Sequence, residues 1–301
     1  MTFGRSLYDT WLVARFEVLR AIRTWRALAL ILAYFIANVG GAYLCVRALG
    51  EAENNLAEKM GVATTDYPGA MTAELMKSDN GRAFLEFIAG SETVVEYLVD
   101  DPPLALFQFF VSIGLIPFLA ATAASEAVAI DVQSRAIRYE ALRTGRAELV
   151  VGRLLGQGLL SVAATAIALG GVWVIGMTLM VQQDPFGLAW ALLSLGIRAV
   201  MFAVPFAGLG IACSQLTTSP AWARILALGG TAGSWVVYML LPLFEVTPWI
   251  YLKDALIPVL PQSWLASLWH PTEWIISALV CVSLGLVSMG LGYVRFSERD
   301  L

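Results

Sequence analysis

The sequence predicts an all-α polytopic membrane protein, built as a single transmembrane domain over residues 1–301. Hydrophobic residues make up 58% of the chain and charged residues only 14%, whereas a soluble domain carries about 25% charged residues. Several uncharged stretches reach the roughly 20 residues that a helix needs to cross the hydrocarbon core. Helices are expected because lipid leaves every backbone polar group to be satisfied within the segment.

Six stretches are predicted to be transmembrane helices. They cover residues 27–47, 102–125, 154–181, 187–213, 225–244 and 274–294. Pro117 lies inside the second stretch, where neighbouring helices are expected to satisfy the carbonyl group that it frees.

The fourth stretch is interrupted by a charged residue, Arg198. This arginine is either a functional charge within the membrane or, if the span begins late near Leu192, a residue that reaches the outer surface. Only 13 uncharged residues precede Arg198 while 25 follow it, which favours the second interpretation.

Residues 1–26 are predicted to form a helix that lies in the membrane interface. Apolar residues between Leu7 and Trp25 recur at spacings of three and four, so they share one helical face. The arginines between them are Arg5, Arg15, Arg20, Arg23 and Arg26. Tryptophan at headgroup depth and arginine toward water are typical of interfacial helices. The alternative is an N-terminal helix packed on the protein, and the two interpretations are compatible.

Two further segments are predicted to lie outside the membrane, on the outer side. Residues 49–101 hold eleven acidic and three basic residues, and they are expected to form a small helical cap. Residues 245–273 are rich in tryptophan and proline, and their apolar pieces are too short to cross the membrane at about 1.5 Å per residue. We expect re-entrant or interfacial half-helices there, with tryptophan at the boundary.

A short basic segment, residues 126–153, connects the second and third spans. Its arginines are Arg135, Arg138, Arg143, Arg146 and Arg153. With six spans, this segment and both termini share one side of the membrane, which then holds most of the basic residues. The positive-inside rule places that side in the cytoplasm and the acidic residues 49–101 outside.

The composition excludes several classes of function. All three lysines lie on the predicted outer side, so no P-loop lysine is available for nucleotide phosphates, and any ATPase must be another chain. The net charge of −4 argues against nucleic-acid binding. One histidine and three cysteines in apolar runs give no metal-ligand pattern. The predicted spans contain no carboxylate, which disfavours an ion-coupled carrier.

The basic segment also carries a recognisable pattern. Asp131 follows the second span, Arg146 comes later in the segment, and Gly152-Arg153 precedes the third span. This pattern, with the layout of the whole chain, resembles the permeases of type-2 ABC exporters. The greatest similarity is to the branch that includes permeases for multi-copper enzyme maturation and gliding motility. Thr144-Gly145 departs from the proline-containing turn of that family.

The resemblance implies a permease subunit that works with a separate ABC ATPase subunit and a second copy of the permease. The basic segment would be the coupling helix that docks on the ATPase. The residues that fit this role are Ser134, Arg135, Arg138, Tyr139, Leu142, Arg143 and Arg146. ATP and Mg would bind to the ATPase, and we expect no cofactor on this chain. Alternatively, these arginines only set the topology and bind anionic headgroups.

Two glycine pairs allow close approach of helices: Gly229-x-x-x-Gly233 in the fifth span and Gly152-x-x-x-Gly156 at the start of the third. By resemblance, the first and fifth spans would form a dimer seam, which makes Gly229 and Gly233 candidates for it. Packing within one subunit is an equally compatible role for either pair.

We therefore expect an ABC permease of the bacterial cytoplasmic (inner) membrane. The apolar path favours export of a lipid-like or amphipathic molecule. The alternative is an ABC-type subunit that drives or anchors an extracytoplasmic machine or maturation partner, with residues 49–101 docking a periplasmic or extracellular protein.

Overall fold

A computed structural model describes residues 3–61, 68–69, 76–89, 92–99, 101–180, 184–243, 249–270 and 272–298. Within these ranges the chain is helical and contains no strand. The helices are α1 (Phe3–Arg23), α2 (Trp25–Met60), α3 (Asp79–Ala89), α4 (Glu92–Leu98), α5 (Pro103–Ser125), α6 (Ala129–Gln133), α7 (Ile137–Thr144), α8 (Arg146–Leu179), α9 (Pro185–Leu216), α10 (Pro220–Leu240), α11 (Trp249–Leu256), α12 (Leu265–Trp269) and α13 (Trp274–Ser297).

Six of the described helices are long and apolar enough to cross a membrane, which confirms the prediction of six spans. They are α2, α5, α8, α9, α10 and α13. Two of them extend well beyond the uncharged stretches. The 36 residues of α2 continue past Arg47 into the acidic segment, and α8 begins at Arg146. At about 1.5 Å per residue, α2 is longer than the hydrocarbon core is thick.

Local sequence explains several helix ends. Proline occupies the first turn of α5, α9 and α10 at Pro103, Pro185 and Pro220, where its missing N–H has no intrahelical partner in any case. Asp184 caps α9 by accepting hydrogen bonds from the backbone N–H groups of the next turn. Gly61 ends α2 with a φ of 67°, a left-handed conformation that glycine adopts without strain.

The centre of the bundle is α9, which packs most extensively on α5 and α13. Gly208 of α9 lies directly against the backbone of Gly285 in α13, and Gly210 lies against Ala121 in α5. In the most apolar part of α5 and of α9, 61% of the residues are buried, against 22% in α2 and 17% in α8 and in α10. Helices α2, α8 and α10 therefore leave apolar faces exposed to lipid or to another chain.

Helix α1 packs on α8 and also exposes apolar side chains. Ala14 is fully buried, whereas Leu7, Trp11 and Trp25 are exposed. Both interpretations of residues 1–26 are thus compatible with the structure, because one face packs on the protein and another is free to contact lipid.

Short helices occupy the other end of the bundle. Helices α3 and α4 pack on each other and on α12, and the buried Trp269 of α12 contacts Phe109 edge-on with ring centroids 4.2 Å apart. Helices α11 and α12 are each shorter than a span, as the proline-rich sequence predicts. Their depth in the membrane remains a prediction.

Candidate functional site

The candidate site lies at the end of the bundle that carries α1, residues 126–153 and the last turn of α13, which we call the basic end. Helices α6 and α7 cross this end between the second and third spans. They are separated at Arg135, which has a φ of 62°, a conformation that costs a non-glycine residue roughly 1–2 kcal/mol. This break sets α7 at a new direction from α6.

The turn from α7 into α8 explains the departure from the family pattern. Gly145 has a φ of 78° and its carbonyl accepts a hydrogen bond from the N–H of Leu149. Glycine reaches this φ freely, whereas proline is fixed near −65°. Thr144-Gly145 therefore forms a different turn from one that contains proline.

Buried charges join the elements of the basic end. Asp131 accepts a hydrogen bond from Arg20 (2.8 Å) and another from Arg153 (2.6 Å). Arg153 also donates to a carboxylate oxygen of Glu140 (2.5 Å) and to the carbonyl of Ala127. We call Arg20, Asp131, Glu140 and Arg153 the Arg153 network.

The Arg153 network connects α1, α6, α7 and α8. Only 2% of Arg153 is exposed, so its charge depends on these partners. The planar guanidinium suits two carboxylates because its N–H groups point in fixed directions. Removing one partner of a buried ion pair destabilises a protein by about 3–5 kcal/mol. The network therefore fixes α6 and α7 to α1 and α8.

Six of the seven predicted coupling residues lie on one exposed surface, the docking face. They are Ser134, Arg135, Arg138, Tyr139, Leu142 and Arg143. Tyr139 is 76% exposed and Leu142 is 85% exposed. On the opposite face of α7, Ile137 is buried and Glu140 contacts Arg153, which explains how α7 keeps the docking face outward.

The seventh predicted coupling residue, Arg146, has a different position. Its guanidinium donates to the carbonyls of Ser297 (2.5 Å) and Phe296 (3.4 Å) and lies over the Phe296 ring. Cations are favourable at a helix C-terminus because the last carbonyls there have no intrahelical partner. Arg146 therefore ties the start of α8 to the end of α13.

The sequence did not predict the Arg153 network as a unit. The sequence names Asp131 and Arg153 in the family pattern and Arg20 among the arginines of the N-terminal helix, but it gives no reason to bring them together and gives Glu140 no role. One signal was available: two carboxylates lie in a strongly basic segment, and an arginine borders an apolar stretch where an unpaired charge is unfavourable.

Further polar contacts join the spans at the basic end. Glu126, at the end of α5, forms an ion pair with Arg224 in the first turns of α10. The hydroxyl of Ser214 in α9 accepts hydrogen bonds from the N–H groups of Val128 (2.9 Å) and Ala129 (2.8 Å). Movement of α6 would therefore be transmitted to α5, α9 and α10.

A cavity of about 460 Å³ opens beside the Arg153 network, between α1, α2, α5, α8 and α10. Glu17 lines it, is almost fully buried and accepts a hydrogen bond from the side chain of Gln157 (3.1 Å). Burial raises the pKa of Glu17, against the opposing effect of the nearby Arg153 and Arg20.

The two glycine pairs have opposite surroundings. A Cβ at Gly152 would lie 2.7 Å from the carbonyl oxygen of Thr10, and one at Gly156 would lie 2.9 Å from the Cβ of Glu17. That pair therefore packs α8 against α1 within the chain. A Cβ at Gly229 or Gly233 would meet no atom of the described residues within 4 Å. Their face of α10 is open.

Arg198 lies at the end of the bundle opposite the basic end. It is half-buried, donates to the carbonyl of Trp269 (3.1 Å) and lies over the ring of Trp274 with 5.6 Å between the guanidinium carbon and the ring centroid. Helix α9 begins well before it, at Pro185. Arg198 thus joins α9 to α12 and α13, and a functional role for it remains a prediction.

Comparison with known proteins identifies the family. The model of the family described as ABC-2 family transporter protein matches residues 11–301. The chain is also similar to the apolipoprotein N-acyltransferase of Sinorhizobium medicae (strain WSM419), with 30% identity over 188 residues, which is 62% of this chain and 30% of that protein. The chain thus matches less than a third of the length of that relative.

The family match confirms the resemblance to type-2 ABC permeases, whereas the branch within them remains a prediction. In this family the membrane subunit works with a separate ATPase subunit. With six apolar helices and a match over nearly its whole length, the chain belongs to the ABC-2 transporter family, as a multi-pass membrane subunit of an ABC transporter.

Proposed function

We propose that this chain is the permease subunit of an exporter that moves a lipid-like or amphipathic molecule out of the cytoplasm. ATP and Mg bind to a separate ATPase subunit, which docks on the docking face. One observation carries the proposal: an exposed surface with arginine, tyrosine and leucine side chains is held in place from behind by the Arg153 network.

The composition of the docking face favours a protein partner. Arginine and tyrosine are enriched at the residues that dominate protein interfaces. Leu142 and Tyr139 are exposed on a helix that joins two spans outside the bundle, and apolar side chains there gain from being covered. Anionic headgroups would explain the arginines of this face but would not select Leu142.

The internal contacts give the docking face a route to the spans. Force on α7 passes through Glu140 to Arg153 at the start of α8, and through Asp131 to Arg20 of α1. Arg146 carries the same movement to α13. Short charged contacts between several helices support a rigid link rather than a loose loop.

A second copy of the chain completes the proposed exporter. The open face of α10 around Gly229 and Gly233 lies on a helix with few buried residues. Small residues allow two helices to approach closely in lipid, where packing drives association. We place the seam between copies at α2 and α10, the first and fifth spans, and both termini in the cytoplasm of a bacterium, by the positive-inside rule.

The docking proposal is tested by reversing charge on the docking face. Arg138→Glu with Arg143→Glu should abolish co-purification of the ATPase subunit that accompanies the wild-type chain, and should reduce its ATP hydrolysis. Arg82→Glu, an exposed arginine at the opposite end, is the matched control. Association and hydrolysis equal to wild type in the double variant would contradict the proposal.

A second candidate function is supported by the extension of α2. This helix continues past Arg47 as far as Met60, and Glu53 in the extension accepts a hydrogen bond from the N–H of Gly69. The chain at Gly69 is therefore held against α2, which gives this part of the acidic segment a fixed position for docking an extracytoplasmic protein. Deletion of residues 62–75 that abolishes co-purification of such a protein, while ATPase association survives, would favour this candidate over export of a free molecule.

A further inference from the structure

The charged cavity at the basic end continues into an apolar pocket, and together they form what we call the groove. The cavity has a volume of about 460 Å³ and the pocket about 50 Å³. Both are lined by Ala27, Leu30, Ala123, Gln157 and Leu160, so they are contiguous. The pocket then follows α2, α5 and α8 toward Tyr34 and Ile116.

The mouth of the groove carries balanced charge. Its ionisable lining residues are Glu17, Arg20, Glu126 and Arg224. The mouth therefore presents charges of both signs, which suits a ligand that carries one charge of each sign.

Glu17 differs from the other three charged residues of the mouth. Arg20 pairs with Asp131, and Arg224 pairs with Glu126. Within the described chain, Glu17 forms no ion pair and has the neutral amide of Gln157 as its hydrogen-bond partner. Arg153 and Arg20 act on this carboxylate electrostatically without forming an ion pair with it, so a cation bound directly against the buried carboxylate would stabilise it further.

The guanidinium groups of the mouth come from two helices: Arg20 lies on α1, one turn after Glu17, and Arg224 lies on α10. Each guanidinium pairs through one terminal nitrogen, Nη2 in Arg224 and Nη1 in Arg20, and the side chains are 42% and 24% exposed, so both can be reached from the cavity. Arginine is suited to phosphate because its fork of donors matches the phosphate oxygens.

The apolar part of the groove is shaped by small residues. Ala27, Ala120, Ala123 and Ala164 line it on three different helices. The pocket, of about 50 Å³, takes the first few methylene groups of an alkyl chain, each favourable by about 0.8 kcal/mol when buried, and the rest of the alkyl chain lies along the exposed apolar faces of α2 and α8.

We propose that the groove binds one amphiphile with a phosphate–amine headgroup, of the phosphoethanolamine lipid class, from the leaflet at the basic end. The amine lies against Glu17, the phosphate faces Arg224 and Arg20, and an alkyl chain lies between α2, α5 and α8. That the bound lipid is also the transported molecule rests on the proposed function. Binding itself does not.

The test measures lipid binding to the purified full chain by native mass spectrometry. Three probes are titrated: phosphatidylethanolamine, phosphatidylglycerol with the same acyl chains, and glycerophosphoethanolamine, which has the headgroup alone. We expect phosphatidylethanolamine to bind about tenfold more tightly than phosphatidylglycerol, because only the amine pairs with Glu17. The headgroup alone should bind more weakly still, because it lacks the alkyl chain.

Two variants test the two parts of the groove. Glu17→Gln keeps the shape and should remove the preference for phosphatidylethanolamine, whereas Asp9→Asn on the same helix, outside the groove, should keep it. Ala123→Phe should weaken binding of both lipids by filling the apolar part. Leu291→Phe, on a side chain that is 72% exposed, is its control.

Equal affinity of the wild-type chain for the two lipids would overturn the proposal, as would binding that neither Glu17→Gln nor Ala123→Phe changes. Binding of the headgroup alone as tightly as the lipid would overturn the apolar part and identify a site for a free phosphate–amine compound. If lipid binding follows the expected pattern but ATP does not drive transport of the lipid in reconstituted vesicles, the proposal of a lipid site in the groove holds and the proposal of export fails.

Discussion

Each end of the bundle contains an arginine that points into the protein, but the two arginines have different partners. Arg153, at the basic end, contacts two carboxylates and is 2% exposed. Arg198, at the opposite end, contacts the carbonyl of Trp269 and the ring of Trp274, and its Nε has no hydrogen-bond partner in the described chain. The charge of Arg153 is thus neutralised by two ion pairs, whereas Arg198 donates to a carbonyl, lies over a ring and has the Asp101 carboxylate near enough to act on it electrostatically.

The cavities at the two ends differ in the same way. The cavity at the basic end is lined by four charged residues. The cavity at the opposite end has a volume of about 510 Å³, and its lining, which includes Met76, Leu85 and Phe110, contains no charged residue among those described. Ion pairs define one arrangement of helices because they break at high cost, while apolar contacts tolerate repacking. This difference supports our proposal that the basic end transmits movement, and it suits the opposite end to adapt to that movement.

The largest expected effect comes from removing the ion pairs of the basic end. Arg153→Ala should lower the free energy of unfolding by about 3–5 kcal/mol, because it leaves Asp131 and Glu140 without their buried partner. Arg143→Ala, an exposed arginine of the docking face, should change it by less than about 0.5 kcal/mol. Denaturation followed by tryptophan fluorescence in detergent measures both. If Arg153→Ala lowers the free energy of unfolding no more than Arg143→Ala does, the buried ion pairs do not stabilise the basic end, and the contrast drawn between the two ends is wrong.

Close packing at the basic end should give the next effect. Gly152→Ala places a Cβ against the Thr10 carbonyl and the Val13 side chain, and should destabilise the protein by about 1–3 kcal/mol by separating α1 from α8. Gly229→Ala meets no atom of the described chain, so in a monomeric preparation, where no second copy covers the proposed seam, it should be neutral or stabilising by up to about 1 kcal/mol, since alanine favours the helix. The same unfolding assay, run on the two alanine variants side by side, measures the difference in their free energies of unfolding. Equal losses would mean that the open face of α10 is covered in the protein as it exists.

These two glycine pairs also illustrate what sequence can predict. Both have the spacing G-x-x-x-G, and only the structure separates the packed pair from the open one. The spans and the exposed face of α7 depend on residues that are close in sequence. The periodicity and charge of those residues therefore predict both features. Arg153 contacts Glu140 and Asp131, which lie 13 and 22 residues away, and Asp131 contacts Arg20, which lies 111 residues away. Such pairings depend on how whole helices pack, which local patterns do not encode.

A smaller effect is expected from the arginine at the opposite end. Arg198→Leu should lower the free energy of unfolding by about 1 kcal/mol, which is the usual net contribution of one hydrogen bond to a neutral acceptor. Leucine fills much of the same volume but removes the attraction between Arg198 and the Asp101 carboxylate as well as the hydrogen bond to Trp269. A loss as large as that of Arg153→Ala, in the same detergent, would show that these partners hold Arg198 as firmly as the ion pairs hold Arg153.

The smallest effect should come from Glu17, and its sign depends on pH. Burial raises the pKa of Glu17 in the folded chain above the ordinary value of 4.5, although Arg153 and Arg20 act against this and Asp131 adds to it. The folded state therefore holds the proton more tightly than the unfolded state, and the wild-type chain loses stability as pH rises above the unfolded pKa. Glu17→Gln lacks this loss, so its advantage in Tm should be near zero at pH 4 and positive at pH 8.

Bound lipid should reverse that difference at pH 8. A phosphoethanolamine headgroup in the groove would pair its amine with the ionised Glu17 and stabilise the wild-type chain by mass action, while Glu17→Gln would gain less. With phosphatidylglycerol, which has no amine, the Tm of Glu17→Gln at pH 8 should stay above that of the wild-type chain. Melting curves of both chains at pH 8 with each lipid measure the reversal. An advantage of the variant that persists in phosphatidylethanolamine would mean that Glu17 is a neutral packing residue at the α1–α8 contact and that the basic end transmits movement without binding lipid there.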